Sequence, residues 1–146
     1  MKKPISVHNI VLLVDTADLK SISPSSANLD LNDYCEFLGQ NPTVNLDLFT
    51  TQAANGDTII WHGLSSTSDS DEVIIANVTR ESGGTFLKNP SDNNKASGKK
   101  GNSKRISKIK NAKKNKWEKY NLIFKIKHGG NETGEYTIDP IINVYA

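Results

Sequence analysis

Few residues in this chain could do chemistry, and their spacing does not bring them together. His8, His62 and His128 fall in three separate segments with no ligand-like interval. A copper site would need Cys, a second His and usually Met clustered late in the chain, whereas Cys35 lies early and Met1 is the only methionine. Asp15 ends the apolar run Ile10-Val11-Leu12-Leu13-Val14, where an Asp-x-Asp phosphoryl-transfer pair would sit. The second acid, Asp18, stands one position late, and no Gly-rich or Lys-bearing motif follows. Asp69, Asp71 and Glu72 could be imagined around calcium, but their spacing is not that of an EF-hand loop. Cys35, beside Tyr34 and Phe37, reads as a small buried hydrophobe. No nucleophile elbow, phosphate-binding loop or dinucleotide fingerprint occurs. Asn77-Val78-Thr79 and Asn131-Glu132-Thr133 match a glycosylation pattern that is frequent by chance. The expectation is therefore no catalytic residue, no cofactor and no metal.

The strong anomaly is charge. Residues 88–119 hold twelve of the eighteen Lys and Arg against the acids Asp92 and Glu118, a net of +10. The remainder carries six bases and fourteen acids, a net of −8. Lys99, Lys100, Lys104, Arg105, Lys108, Lys110, Lys113, Lys114 and Lys116 are the candidate interaction residues. With Trp117 and Tyr120 close behind, they could neutralise phosphates, so nonspecific nucleic-acid binding is physically available. Lys with Asn and Ser is also what a solvated loop uses, and opposite fields on one small protein attract another copy of it.

Elements that would position these residues are short and of β type. Thr58, Ile59, Ile60 and Trp61 suit a pleated, half-buried surface, and Asn55-Gly56-Asp57 before them supplies a tight turn. Val44 to Phe49 alternates apolar with polar and predicts a strand beside it, with Trp61 packed inside. Ser6–Val14 predicts a first strand whose continuous apolar end implies burial on both faces or a central place. Residues 21–33 form a polar loop, residues 34–38 a short strand, and residues 72–80 a longer one. From residue 88 to 116 the composition turns to Lys, Asn, Ser and Gly, which predicts one mobile, Lys-rich insertion. Removal of residues 92–114 is expected to leave the fold intact. After Trp117, the residues Tyr120, Leu122, Phe124 and Ile126 share one face, a hairpin loop spans residues 128–134, and a last strand interrupted by Pro140 runs to Tyr145. Seven to nine strands without a useful amphipathic helix predict one domain over residues 1–146. Its fold is expected to be all-β, a single antiparallel β-sandwich, immunoglobulin-like or jelly-roll-like.

A chain of 146 residues can bury a sizeable core without disulfides or metal. One cysteine excludes an intrachain disulfide and favours a reducing compartment, the cytoplasm. The N-terminal apolar run is too short for a signal core or a membrane span, so no membrane partner is expected.

Several of these pieces, taken in order, resemble the PixA/AidA family of bacterial inclusion-body proteins. They are the first strand with Val14-Asp15-Thr16, then Ala54-Asn55-Gly56-Asp57-Thr58-Ile59-Ile60-Trp61 with Gly63 and Ser65. Tyr120-Asn121-Leu122-Ile123-Phe124-Lys125-Ile126 and Tyr136-Thr137-Ile138-Asp139-Pro140-Ile141-Ile142-Asn143-Val144 follow as closing strands. The basic region departs from the family, which has a Pro-rich loop there, and His62 stands where a basic residue, often Arg, is usual. The resemblance implies a compact β-sandwich without established enzyme activity that accumulates in the bacterial cytoplasm, sometimes as inclusions. The leading expectation is a non-catalytic protein that self-associates. The alternative is a binding module for carbohydrate, through Trp61, Tyr34 or Tyr136 if exposed, or for nucleic acid through the basic loop.

Overall fold

The computed structural model describes residues 5–40, 45–83, 91–92, 104–110 and 116–145. Among the described residues, eleven strands form two sheets: β1 Val7–Val14, β2 Cys35–Phe37, β3 Thr50–Ala53, β4 Thr58–Ser65, β5 Asp71–Gly83, β6 Ser91–Asp92, β7 Arg105–Lys108, β8 Lys116–His128, β9 Asn131–Glu132, β10 Tyr136–Ile138 and β11 Ile141–Val144. The first sheet runs β2-β1-β4-β7-β6. In the second, β8 pairs with β5, β9, β10 and β11, and β11 pairs with β3. Each edge of a strand accepts one partner at a given residue. Lys127, Leu122 and Lys119 all face β5, so β9, β10 and β11 succeed one another along the opposite edge.

The core lies between the sheets and follows the period of two. Ile10, Leu12 and Val14 on β1 point inward with Ile59 and Trp61 on β4. Opposite them lie Tyr120, Leu122, Phe124 and Ile126 on β8, Val73 and Ile75 on β5, and Tyr136, Ile138, Ile142 and Val144 on the last two strands. Trp61 and Tyr120 meet edge to face at 5.6 Å between ring centroids, and Phe124 stacks on Tyr136 at 5.2 Å. Asp139 and Pro140 divide what the sequence predicts as one final strand into β10 and β11, because proline cannot donate to the ladder.

The all-β expectation holds, but the sheets are mixed rather than antiparallel throughout. β1 and β4 run parallel from Val7↔Thr58 to Val14↔Ser65, and β11 and β3 run parallel from Ile141↔Thr50 to Val144↔Ala53. Parallel neighbours require a long connection. Here the chain between β1 and β4 passes through β2 and then crosses to the second sheet as β3.

Local differences have identifiable causes. Within the stretch predicted as a strand over Val44–Phe49, Leu46–Leu48 is a turn of 3-10 helix, because the Asn45 side chain caps the Asp47 N–H at 2.9 Å. The neighbours of the Trp61 strand are β1 and β7 instead. Asp15 caps a single turn of helix, α1 Thr16–Leu19, by accepting from the Asp18 N–H at 3.2 Å. The region expected as one exposed insertion over residues 88–116 contains β7, which pairs with β4 from Thr58↔Lys108 to Trp61↔Arg105. Ser107 is buried, and Ile109 just after the strand has no exposed surface. The rest of that stretch, apart from residues 91–92, 104, 110 and 116, lies outside the described residues.

Candidate interaction surface

The nine basic candidates divide by what the fold does with them. Lys99, Lys100, Lys113 and Lys114 lie outside the described residues. Lys104, Lys108 and Lys110, on and beside β7, are exposed, as is Lys116 at the start of β8. Arg105 is used internally. It opposes Trp61 and so points toward the second sheet, where its Nε donates to the Ile75 carbonyl at 3.1 Å and its Nη2 to the Ala76 carbonyl. Those carbonyls sit where β5 slips register between Ile75 and Asn77, so the guanidinium fills acceptors that the irregular ladder leaves over. Of the aromatics near the basic tract, Tyr120 is fully buried and Trp117 is half exposed. Trp61 and Tyr136 are buried in the core, and Tyr34 is partly buried against it.

The three histidines lie in three different polar clusters. His8 Nε2 lies 2.8 Å from Asp57 Oδ2, which also accepts from the Ala54 N–H at 2.9 Å, while Oδ1 accepts from the Ser6 N–H at 3.1 Å. Burial alone would raise the Asp57 carboxyl, but the hydrogen bonds from His8, Ala54 and Ser6 together bring it below its ordinary value. His62 bonds Asn9 across β1 and β4 at 3.0 Å. Burial, and then the Lys104 charge, lower its pKa, which favours the neutral ring.

His128 belongs to the third cluster, which sequence reasoning did not find. Its partner is Asp71, directly across the β5–β8 ladder, whose side chain has no exposed surface. Asp71 Oδ1 takes His128 Nδ1, and Oδ2 takes the Lys20 ammonium at 3.1 Å. The Thr16 hydroxyl, with His128 and Lys20, brings the Asp71 carboxyl down to about 2. Lys20 and His128 stand at the rim of a cleft of about 570 Å³ floored by Ile22, Ile126 and Tyr136. The cluster joins α1, β5 and β8 through residues 51 and 57 positions apart, an arrangement no local spacing announces.

The arrangement offers structural ion pairs rather than an activated nucleophile. Burial first, and then the Asp15 charge, push the Cys35 thiol up to about 12, which keeps it protonated and unreactive. Among the described residues, no three His, Cys, Asp or Glu side chains converge as a metal site would require. Asp69 and Glu72, read in sequence beside Asp71, do not join its cluster of hydrogen bonds. Among the described residues, no helix is long and apolar enough to cross a membrane.

No protein-family model matches the chain, and no curated protein sequence matches it. Among solved structures, the crystal structure of the inclusion body protein PixA from Burkholderia cenocepacia aligns with a TM-score of 0.66 at 15% identity. The alignment covers 99% of this chain and 98% of that one. The resemblance to the PixA family carried by the turn-strand and closing-strand segments is thus matched by a fold shared along nearly the whole length of both chains.

Proposed function

We propose that this chain is a non-catalytic, inclusion-body-type bacterial protein that accumulates in the cytoplasm by associating with copies of itself. The observation that carries the reading is the shared fold with an inclusion body protein over nearly the full length of both chains. The charge division supplies a physical means, with a net of +10 over residues 88–119 and −8 over the rest. A basic segment that meets the acidic surface of a neighbouring copy makes a head-to-tail contact that need not close and can propagate. Exposed ion pairs contribute about 0–1 kcal/mol each, so many must act together.

The test is light scattering against protein concentration at low and high salt. The comparison is with a variant in which Lys99, Lys100, Lys113 and Lys114 become Ser, which leaves β7 untouched. The wild type is expected to form large species at low salt that disperse toward 1 M, where the Debye length falls to about 3 Å, and the variant to stay dispersed throughout. A wild type that is monomeric at every concentration and salt overturns the reading.

A further inference from the structure

The outward side of the five-stranded sheet carries more apolar surface than a solvated face needs. The cross-strand registers place Leu13 beside Leu64, Val11 beside His62, Asn9 beside Ile60 and Ile60 beside Ile106, all on the side away from the core. Leu38, whose N–H bonds the Val11 carbonyl, continues the row, and Val7 beside Thr58 closes the other end. Leu38 is 64% exposed, Val7 56% and Leu64 55%, while Val11, Leu13, Ile60 and Ile106 are half-buried. This explains why Ile10–Val14 reads as apolar on both faces. One side is core, and on the other Val7, Leu38 and Leu64 stay exposed. Within the patch His62 and Asn9 bond one another, and the lowered His62 pKa favours an uncharged ring. Contiguous exposed apolar surface of this kind marks an interaction site.

The rim indicates the occupant. Glu36, paired with Leu13, lies on the β2 flank, and Lys104 and Lys108 lie on the β7 flank. A second copy related by a two-fold axis lying roughly along the strands sets the Glu36 flank of each sheet against the lysine flank of the other, with the apolar rows between them. We infer that this face is an isologous docking surface for a second copy of the chain. The inference rests on the proposed self-association and deepens it: an apolar face-to-face pair is the unit that the charge contacts then link.

Sedimentation velocity across concentration tests it, on the wild type, on Leu64→Asp combined with Leu38→Ser, on Glu36→Lys, on Lys104→Glu combined with Lys108→Glu, on the variant joining all three charge reversals, and on a chain lacking residues 93–103. Leu64 and Leu38 are exposed, so the first variant keeps its fold, as circular dichroism and urea unfolding will show. Its dimer is expected to weaken at least about ten-fold, the equivalent of about 1.4 kcal/mol. Each charge reversal alone weakens the dimer, and the joined variant recovers it. If the wild type associates and the Leu64 variant associates equally, the face is not the contact, while the proposed function stands on the lysine variant above. Association that appears only after removal of residues 93–103 means that the chain's own segment covers the face, which also overturns the inference. A wild type that never associates removes the inference together with the function it rests on.

Discussion

The indole N–H of Trp61 on β4 donates to the Tyr120 hydroxyl on β8 over 3.1 Å, a buried polar bond that ties one sheet to the other. Each ring has no exposed surface, so neither polar atom can turn to water. Burial raises the Tyr120 hydroxyl well above its ordinary pKa, so it stays protonated. Tyr120→Phe keeps the ring and orphans the indole donor, at an expected cost of about 1–3 kcal/mol. Trp61→Phe costs more, about 3 kcal/mol or above, because it also opens a cavity between the sheets. Urea unfolding of the two single variants and the double variant checks this. The double variant should be less destabilised than the sum, because the bond is lost once.

Gly63, also on β4, faces Val73 on β5 so closely that an added Cβ would lie 2.5 Å from Val73 Cγ1 and 2.7 Å from the Val73 carbonyl oxygen. The side-chain clash could be relieved by trimming, but the backbone one could not. Gly63→Ala is therefore expected to cost about 1–3 kcal/mol. Adding Val73→Ala should give no recovery, since it removes buried volume and leaves the carbonyl in place. A double variant as stable as the wild type in thermal unfolding would refute this.

Asp71 makes stability depend on acid. Its folded pKa, about 2, lies below the ordinary 3.8, so the carboxylate's stabilisation is fully present above about pH 4 and is lost as pH falls toward 2. Asp71→Asn should cost about 1.5–3 kcal/mol at pH 7, where hydrogen bonds to charged Lys20 are broken. The gap between wild type and variant should then narrow steadily from pH 4 to pH 2.5. Urea midpoints at four pH values read it directly, and a constant gap would place the acid sensitivity elsewhere.

What could be read in advance depended on whether the cause was local. The alternation from Tyr120 to Ile126 states its own inward face, and Trp61, flanked by β-branched residues after a Gly-containing turn, is buried as expected. The β7 strand was not legible. Ile106 and Ile109, three residues apart among lysines, have the spacing of a helix. Ile109 is buried because the Gly56 N–H donates to its carbonyl at 2.9 Å and its own N–H donates to the Asp57 carbonyl at 3.0 Å. Those partners are about fifty residues away, and composition cannot show them. The same blindness hid Asp71, Lys20 and His128, each an ordinary turn or strand-end residue until the sheets assemble. Removing residues 92–114 would thus take β7 out of the first sheet, and the fold would not survive it unchanged.

The basic tract consequently contains two kinds of cation, and variants should separate them. Arg105 donates to the Ile75 and Ala76 carbonyls across the sheets, at a point where β5 has slipped its register. Arg105→Ala leaves those part-buried acceptors unsatisfied and should cost about 1.5–3 kcal/mol. Arg105→Lys should recover only part of that, because a single ammonium cannot reproduce the planar fork. Lys108 and Lys110 are exposed, and replacing both by Ala should change stability by no more than about 0.5 kcal/mol each. The same pair should instead reduce the salt dependence of association, because that depends on charge facing solvent. Urea unfolding and salt-dependent scattering measured on both variants give a two-by-two outcome. Loss of stability should appear only for the arginine, and loss of salt dependence at unchanged stability only for the lysines. An Arg105→Ala chain as stable as the wild type would mean that its two carbonyl bonds contribute nothing to holding β7 against the second sheet.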